Sequence, residues 1–395
     1  MPPEPVKIRN IHVQKFRNHT QSDAVFGGGI NAVLGENGEG KTNLLEAISY
    51  LCLTKSFFGS SDAIVLQVGE NHFEIAGELE ADAGIRYHVA VTYDRLQGEK
   101  KFSINRSPVA SFAEVIGSFP VVVLSPESGA ITTGGPADRR KFLDFVISQS
   151  SKVYLEDLLE YRRVLRQRNK VLFDGRVTRS DCTELLEPWD EELVDRGVRI
   201  THRRKVFLKE LQPLVNEAYG RIAGRAENPS LRYQPSVRHA EEASEAEIRR
   251  QFEEDLRRTT GEERKLGVTL VGPHRDEMHL EIQGLDVRSH ASQGQHKTFL
   301  VALKMAEFLY LQAKQNERPI LLLDDMFTEL DSHRASRLLT LTESIGQVFI
   351  TATSDRVFPP DFDWADNHRR FVVQQGTVEH EESSVGTRAV SRRRA

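Results

Sequence analysis

Apolar residues recur at different spacings along this chain, and the changes of spacing divide it. Over residues 1–137 they come in short runs that alternate with polar positions, the pattern of half-buried strands. Residues 6–13 form one such run, and residues 29–34 lead into a glycine-rich turn. Over residues 43–53 the period changes: Leu44, Leu45, Ala47, Ile48 and Leu51 fall on a helical repeat. Residues 73–79, 87–93 and 102–105 are predicted as strands between polar turns, and the compact run 120–124 as a buried strand.

From residue 138 to residue 265 the period is mostly helical, and the polar positions are rich in Arg and Glu. Tyr154, Leu158, Tyr161 and Leu165 fall on one face; Leu193, Ile200, Phe207, Leu211 and Leu214 mark a second seam. Ser244 and Glu247 have the spacing of a capping box ahead of Ile248, Phe252 and Leu256. This block reads as an inserted helical arm. After Leu266 strands return, with residues 320–323 and 348–351 as buried-strand candidates. Residues 379–395 are charged and poor in apolar side chains, which predicts a mobile tail. The expected organisation is a head from 1–137, an arm from 138–265, the rest of the head from 266–378, and a tail from 379–395.

At 395 residues, 39% hydrophobic and 28% charged, the chain has the make-up of a globular protein with room for two structural units. Its two cysteines, Cys52 and Cys182, lie far apart and form no CxxC pair, which supports neither a disulfide framework nor a zinc site. The first thirteen residues lack a signal-peptide apolar stretch, and no apolar run is long enough to span a bilayer, so the cytoplasm is the expected compartment. A net charge of −5 speaks against a surface that binds nucleic acid all over. Binding DNA would need local basic patches.

The glycine-rich turn reads Gly35-Glu36-Asn37-Gly38-Glu39-Gly40-Lys41-Thr42, a GxxxxGK[ST] pattern between the strand 30–34 and the helix from Asn43. Glycines let backbone N–H groups curl around a phosphate, and the helix N-terminus adds its dipole at the same point. In such a loop Lys41 reaches the β- and γ-phosphates and Thr42 ligates Mg2+. Residues 319–325 read Pro-Ile-Leu-Leu-Leu-Asp-Asp. This is an apolar strand ending in two carboxylates, at the end where open α/β sheets place their ligands. Asp324 is the candidate Mg2+ partner, and Asp325 the candidate base that orients the attacking water. A strand followed by a polar turn is commonplace by itself; beside a phosphate cradle it supplies the carboxylate an ATPase needs. Between these motifs lies Ser289-His290-Ala291-Ser292-Gln293-Gly294-Gln295. It precedes an amphipathic helix with Phe299, Leu303, Ala306 and either Leu309 or Tyr310 on one face. A hydroxyl-and-glycine turn at a helix N-terminus is a second anion site, and alone it is equally an ordinary cap.

Taken in this order, the motifs resemble the ABC ATPase superfamily and its SMC-like branch. The resemblance implies an α/β fold, an ABC/SMC-type P-loop ATPase head with the helical arm inserted, and ATP and Mg2+ as ligands. It implies nucleotide contacts by Gly35, Glu36, Asn37, Gly38, Glu39, Gly40, Lys41, Thr42, Asn43 and Arg17, with Lys41 and Asp325 as the catalytic pair. It makes Ser292, Gln293, Gly294 and Gln295 a signature that meets ATP held by a second copy, so that ATP joins two heads. Thr328-Glu329-Leu330-Asp331 resembles the D-loop of such an interface, with Glu329 and Asp331 as its acidic positions.

Within that branch the chain resembles the RecF family. The likeness is carried by Phe16-Arg17-Asn18-His19, by residues 36–48, and by Ser125-Pro126-Glu127 with Gly134-Gly135-Pro136 and Arg139-Arg140. Arg166-Gln167-Arg168-Asn169, Gly272-Pro273-His274-Arg275-Asp276 and residues 323–331 add to it, so nearly the whole chain is covered. Two positions depart from the wider superfamily. No histidine follows the last core strand, where Thr351-Ala352-Thr353-Ser354-Asp355 stands, and Thr353 and Ser354 are the candidate γ-phosphate sensors. The second carboxylate is Asp325 where many ABC proteins have Glu, which predicts slow turnover. The Q-loop glutamine is not assigned.

Arg139, Arg140 and Lys141 cluster where the arm begins, Arg162, Arg163, Arg166 and Lys170 line one flank of its first helix, and Arg203, Arg204 and Lys205 follow. On charge pattern alone these are solvated helix faces balanced by nearby glutamates. The RecF resemblance instead implies duplex DNA, gapped DNA or a single/double-strand junction, held through phosphates by Arg139, Arg140, Arg162, Arg163, Arg166 and Lys170. It also implies an ATP-bound homodimer, RecR and RecO as partners, help in loading recombinase at gaps, and no membrane. Rival classes are a transporter ATPase subunit, which shares the nucleotide motifs but not the Arg/Glu-rich insert, and a scaffold that binds ATP without hydrolysing it. A long coiled-coil SMC protein is disfavoured by the short insert. His274 and Asp276 lack a third metal ligand and read as structural.

Overall fold

The structure is a computed structural model that describes residues 6–381, apart from 82, 83, 224–226, 241, 329 and 344. Strands β1 (Lys7–Phe16), β2 (His19–Val25) and β3 (Ile30–Leu34) precede helix α1 (Lys41–Leu53). Next come β4 (His72–Glu80), β5 (Arg86–Asp94), β6 (Glu99–Ile104), β7 (Ser107–Pro108) and β8 (Val121–Leu124). Helices α2 (Ala130–Thr133), α3 (Pro136–Ser150), α4 (Lys152–Thr178) and α5 (Thr183–Ala223) follow, then β9 (Pro229–Gln234) and α6 (Glu245–Leu266). After them run β10 (Glu277–Ile282), β11 (Leu285–Asp286), α7 (Val287–His290) and α8 (Gln293–Gln315). The last elements are β12 (Ile320–Leu323), α9 (Ser332–Glu343), β13 (Val348–Ala352), β14 (Arg369–Gln374) and β15 (Thr377–Glu381).

Two compact units emerge, one built on Val109–Pro319, the other on Glu4–Pro108 with Ile320–Ala395. The second holds an antiparallel sheet in the order β2-β1-β4-β5-β6-β7. Along β4 alternate residues are buried, Phe73, Ile75 and Leu79 among them, as expected for a strand with one face on a core. The unit's other sheet runs β15-β14-β3-β13-β12. There β14, β3, β13 and β12 are parallel and β15 turns back antiparallel. Every residue of β3, β12 and β13 is buried, which is why β12 reads as an unbroken apolar run and β3 and β13 are apolar apart from Asn31 and Thr351. Helix α1 is buried over eleven of its positions and packs against β1, β4 and β5 of one sheet and β13 of the other. A helix apolar on all sides is stable only in such a place.

The unit Val109–Pro319 is mainly helical. Helix α5 packs along α4 and α8, and Leu193, Ile200, Phe207 and Leu211 are buried on its seam. Val215 continues that seam while Leu214 is half-buried, because a four-residue step from Leu211 keeps to one face. Tyr310, not Leu309, completes the buried face of α8. Ser244 and Glu247 form the capping box of α6, with Ser244 N–H donating to Glu247 Oε2 at 2.7 Å.

The boundaries of the units differ from the expected arm of 138–265. The packing of α5 on α8 draws residues beyond 265 into the helical unit. So does β9, a short strand within the arm whose antiparallel partner β10 follows it. A helical period carries no signal for a strand completed elsewhere in the chain. Residues 379–381 belong to β15 rather than to a tail, and 382–395 lie outside the described residues.

Two buried arginines tie the helices together. Arg168 of α4, 1% exposed, donates to Asp190 of α5 at 2.6 Å and to Thr269 at 2.9 Å, and pairs with the buried Glu263 of α6 at 2.7 Å. Arg204 of α5 donates to Asp144 of α3 and to the Pro273 carbonyl, each at 2.7 Å. Asp276 accepts from Ser236 N–H at 2.7 Å and from the Tyr233 hydroxyl. His274 lies 2.7 Å from the Tyr161 hydroxyl, and burial pushes its pKa down to about 4. These contacts make His274 and Asp276 parts of the internal scaffold. Among the described residues there is no group of three or more His, Cys, Asp or Glu side chains placed to hold a metal. No described helix is long and apolar enough to cross a membrane.

Arg168→Met leaves Glu263, fully buried, without its cation. The expected loss is about 3–5 kcal/mol, the usual result of removing one partner of a buried ion pair, read as a lower urea midpoint. An unchanged midpoint would show that the pair carries no stability.

Candidate active site

The glycine-rich loop begins where β3 ends. Gly35 has φ of 155°, and a Cβ there would stand 2.4 Å from the Val373 carbonyl oxygen. Gly40, with φ of 115°, occupies the N-cap of α1 without a side chain to cap it, so the first-turn N–H groups face the loop. Both positions demand glycine for backbone conformation as well as for space. Lys41 Nζ donates to the carbonyl oxygens of Gly35 and Glu36, each at 2.8 Å, and so spans the loop. Burial lowers its pKa, while Asp325, Asp324 and Glu39 act in the opposite direction. Glu36, Asn37 and Gly38 are exposed at the rim.

The loop is braced from outside. Asn18 Nδ2 donates to the Glu39 carbonyl at 2.9 Å, and Asn43 Nδ2 donates to Asn18 Oδ1 at 2.8 Å. His19, fully buried, lies 3.0 Å from the Gly40 carbonyl oxygen. Gly376 N–H donates to the Glu39 carbonyl at 2.8 Å, and Gln375 N–H to its carboxylate. Asn18 and His19 stood in the Phe16-Arg17-Asn18-His19 segment, yet only Arg17 had been expected to act on the nucleotide. The structure joins Arg17 to the helix that follows the loop. Its guanidinium forms a two-pronged pair with Glu46 of α1 at 2.7 and 2.8 Å. Glu46 is fully buried and requires a compensating cation. Arg17 thus braces the loop's helix, and Asn43 reaches Asn18.

Asp324 directly follows β12 and is 3% exposed. Thr42 Oγ1 donates to its Oδ1 at 2.8 Å, and Thr351 Oγ1 of β13 donates to the same oxygen at 2.8 Å. Thr351 Oγ1 also accepts from Asp325 N–H at 2.8 Å. Asp325 sits at φ of 50°, a left-handed conformation that Asp tolerates better than most residues. Its Oδ1 is buried and has no hydrogen-bond partner among the described residues. A buried polar atom left this way is expected to meet a ligand or water. The hydroxyl of Thr42 and the two carboxylates are hard oxygen donors, the type Mg2+ takes. Thr351, buried at the heart of this cluster, was not singled out in the sequence, because a threonine in a strand carries no mark of its partners.

The remaining candidates divide. Thr353 is exposed and Ser354 half-buried just beyond β13. Asp331 caps α9, accepting from Arg334 N–H at 3.0 Å and pairing with the Arg334 side chain. Glu329 lies outside the described residues. In the helical unit, Ser292 is the N-cap of α8. Gln295 N–H donates to its Oγ at 3.2 Å, and Ser292 N–H donates to Gln295 Oε1 at 2.9 Å. The signature turn is thus also a capping box, with Ser292 and Gln293 exposed and Gly294 half-buried.

The basic residues also separate into classes. Arg139, expected at DNA, is buried and paired with Glu277 at 2.9 Å; this corrects the sequence reading, since its guanidinium is already satisfied inside the fold. Arg140 is half-buried. Arg162, Arg163, Arg166 and Lys170 are exposed on α4, and Arg162, Arg166 and Lys170 repeat at four-residue steps along one stripe.

Comparison with known proteins places this geometry. The profile of the RecF/RecN/SMC N terminal domain matches residues 7–361. The DNA replication and repair protein RecF of Chloroherpeton thalassium is 43% identical over 358 residues, spanning 89% of this chain and 96% of that protein. A solved structure of the recombination mediator protein RecF with ATP, in the RecFOR pathway, is 32% identical with a TM-score of 0.88 and covers 96% of this chain and 98% of its own. An Smc head domain from Pyrococcus furiosus, bound to the C-terminal domain of ScpA, shares the fold at 13% identity, with a TM-score of 0.54 over 95% of this chain and 96% of its own. The α/β head fold with helical arm, anticipated from the motifs, is the fold these likenesses share.

Thr351→Val keeps the shape of the side chain and removes its hydroxyl. The expected cost is about 1–3 kcal/mol, because buried Asp324 loses a donor and Asp325 N–H loses its acceptor. Thr351→Ser is expected to recover most of it. Equal melting temperatures for the two variants would mean that the hydroxyl does not hold the carboxylates.

Proposed function

The chain belongs to the RecF family of the RecF/RecN/SMC group, and from that membership we propose that it is a DNA repair and recombination mediator whose ATP site governs the joining of two copies on DNA. Asp324 carries the reading: hydroxyls from the phosphate-binding loop and from β13 converge on it, beside the unpartnered oxygen of Asp325. The N–H groups of the loop and Lys41 bind the triphosphate. Thr42 and Asp324 are the residues that would hold Mg2+, which when bound supplies electrostatic stabilisation of charge on the phosphate oxygens. Asp325 orients the water that attacks the γ-phosphate. One methylene shorter than Glu, it holds that water less closely, so hydrolysis is slow.

Ser292 and Gly294, at the N-terminus of α8, act on ATP held by a second copy, with Gln293 and Gln295 shaping the turn. Glu329 and Asp331 cross the same seam, and Thr353 or Ser354 senses the γ-phosphate. ATP thereby clamps two copies on duplex, gapped or junction DNA, and hydrolysis resets them. Arg162, Arg163, Arg166 and Lys170, exposed along α4, contact phosphates without reading bases. RecR and RecO are the proposed partners, and loading of recombinase at gaps the outcome.

Asp325→Asn is expected to slow phosphate release on the order of 100-fold or more, the scale of a lost general base, while ATP binding measured by calorimetry persists. Light scattering should show the mass doubling with ATP, Mg2+ and duplex DNA, and Ser292→Arg should abolish the doubling without abolishing ATP binding. A wild-type chain that stays single in that mixture would remove the clamp. Arg166→Gln and Lys170→Gln should each weaken duplex binding at every sequence tested and reduce the log–log salt slope by about one. An unchanged slope would move the DNA contacts elsewhere.

A further inference from the structure

We propose that the pocket bounded by α3, α4, α5 and the Pro273-His274 segment is a seat for a phosphate group. Its volume is about 310 Å3, at the lower end of small-ligand pockets, which span roughly 300–1,000 Å3. Its charged lining consists of Arg140, Lys141 and Asp144 from α3, Arg162 from α4 and Arg204 from α5. Four cations and one carboxylate line it, with Asp138 beside Lys141 and Asp276 beside Arg204 as further carboxylates at its edge.

The carboxylate is already satisfied. Asp144 Oδ1 accepts from the Tyr154 hydroxyl and from Arg204, each at 2.7 Å, and Oδ2 accepts from Arg162 at 3.0 Å. Arg204 is further engaged by the Pro273 carbonyl at 2.7 Å. Among the described residues, the lining cation left without a carboxylate pair is Arg140. Arg140 donates to the main-chain oxygen of Asp276 at 2.8 Å and forms no salt bridge with a carboxylate among the described residues. Burial lowers its pKa and the neighbouring Arg204 adds to this, while Glu277, Asp276 and Asp144 act in the opposite direction. Lys141 lies 3.4 Å from Asp138 with most of its side chain exposed. A half-buried guanidinium without a carboxylate pair of its own favours an anion as partner.

A phosphate suits the arrangement better than a single carboxylate. It carries more charge and more acceptor oxygens, and donors approach from two helices at once. The guanidinium fork matches its geometry. The phosphate could come from a nucleic-acid backbone or from free phosphate, and the chemistry of the seat is the same for both. Only the first source rests on the DNA reading given above.

The test is carried out on the full chain in a Lys41→Ala background, which removes the other phosphate-binding lysine. Melting temperatures are compared in sodium phosphate and in sodium chloride at equal ionic strength and pH. The expected result is a melting point several degrees higher in phosphate, since a ligand that binds only the folded state stabilises it. Arg140→Gln should lose that increment. Lys141→Gln, a change at an exposed side chain, should reduce it without altering the melting point in chloride, which keeps the test valid if Arg140→Gln folds poorly. No increment in the parent chain, or an increment unaffected by Lys141→Gln, would overturn the seat. A short duplex then separates the sources. If it abolishes the phosphate increment, the occupant is a backbone phosphate; if the two effects add, the occupant is free phosphate. A duplex that fails to bind while the phosphate increment persists would refute the DNA reading and leave the seat standing.

Discussion

A carboxylate removed from water has to be held by donors, and Asp324 imposes that requirement on everything around it. At 3% exposure it cannot rely on solvent, and an unsatisfied buried charge costs several kcal/mol. Its hydroxyl donors come from the start of α1 and from β13, so meeting the requirement fixes the loop, the strand end and the neighbouring strand together. Parallel strands β12, β13 and β3 present their C-terminal ends on one edge, and a parallel sheet gathers ligand-binding loops at that edge. The same hydroxyl of Thr351 that serves Asp324 also holds Asp325 N–H, so the two carboxylates are positioned as a unit.

The loop itself is supported from behind. A glycine-rich segment has more conformations to lose than any other, and this one is restrained by the turn between β1 and β2 and by the hairpin β14–β15. Asn18, His19 and Gly376 each touch its backbone. The cradle is thus ready-formed, which lowers the ordering cost when an anion enters.

Arginine illustrates how one residue type takes several roles. In the unit Val109–Pro319, Arg168 and Arg204 are buried among carboxylates and hydroxyls and join four helices. Arg139 pairs with Glu277 across to β10. Arg163 and Arg166 stand in solvent on α4. Arg140 lies between these extremes, half-buried without a carboxylate of its own. The family likeness to RecF proteins holds over all of these positions, but the physical setting assigns each of them differently.

What the sequence determined by itself was local. Gly35 and Gly40 mark backbone conformations that other residues avoid. The apolar run at 320–323 and the largely apolar run at 348–351 identified buried strands, and Ser244 with Glu247 placed a helix start through contacts three residues apart. Each signal lies within a few positions of its partner, so it can be read without knowing the fold. The tertiary structure alone decided the long-range pairings. It gave Arg17 to Glu46, Arg139 to Glu277, Thr351 to Asp324 and β9 to β10. A charged or hydroxylated side chain does not name its partner, and whether it is buried or in water depends on segments far away in the chain. For that reason the glycine-rich loop was legible from the first reading, while the threonine that holds the neighbouring carboxylates became visible only in the folded protein.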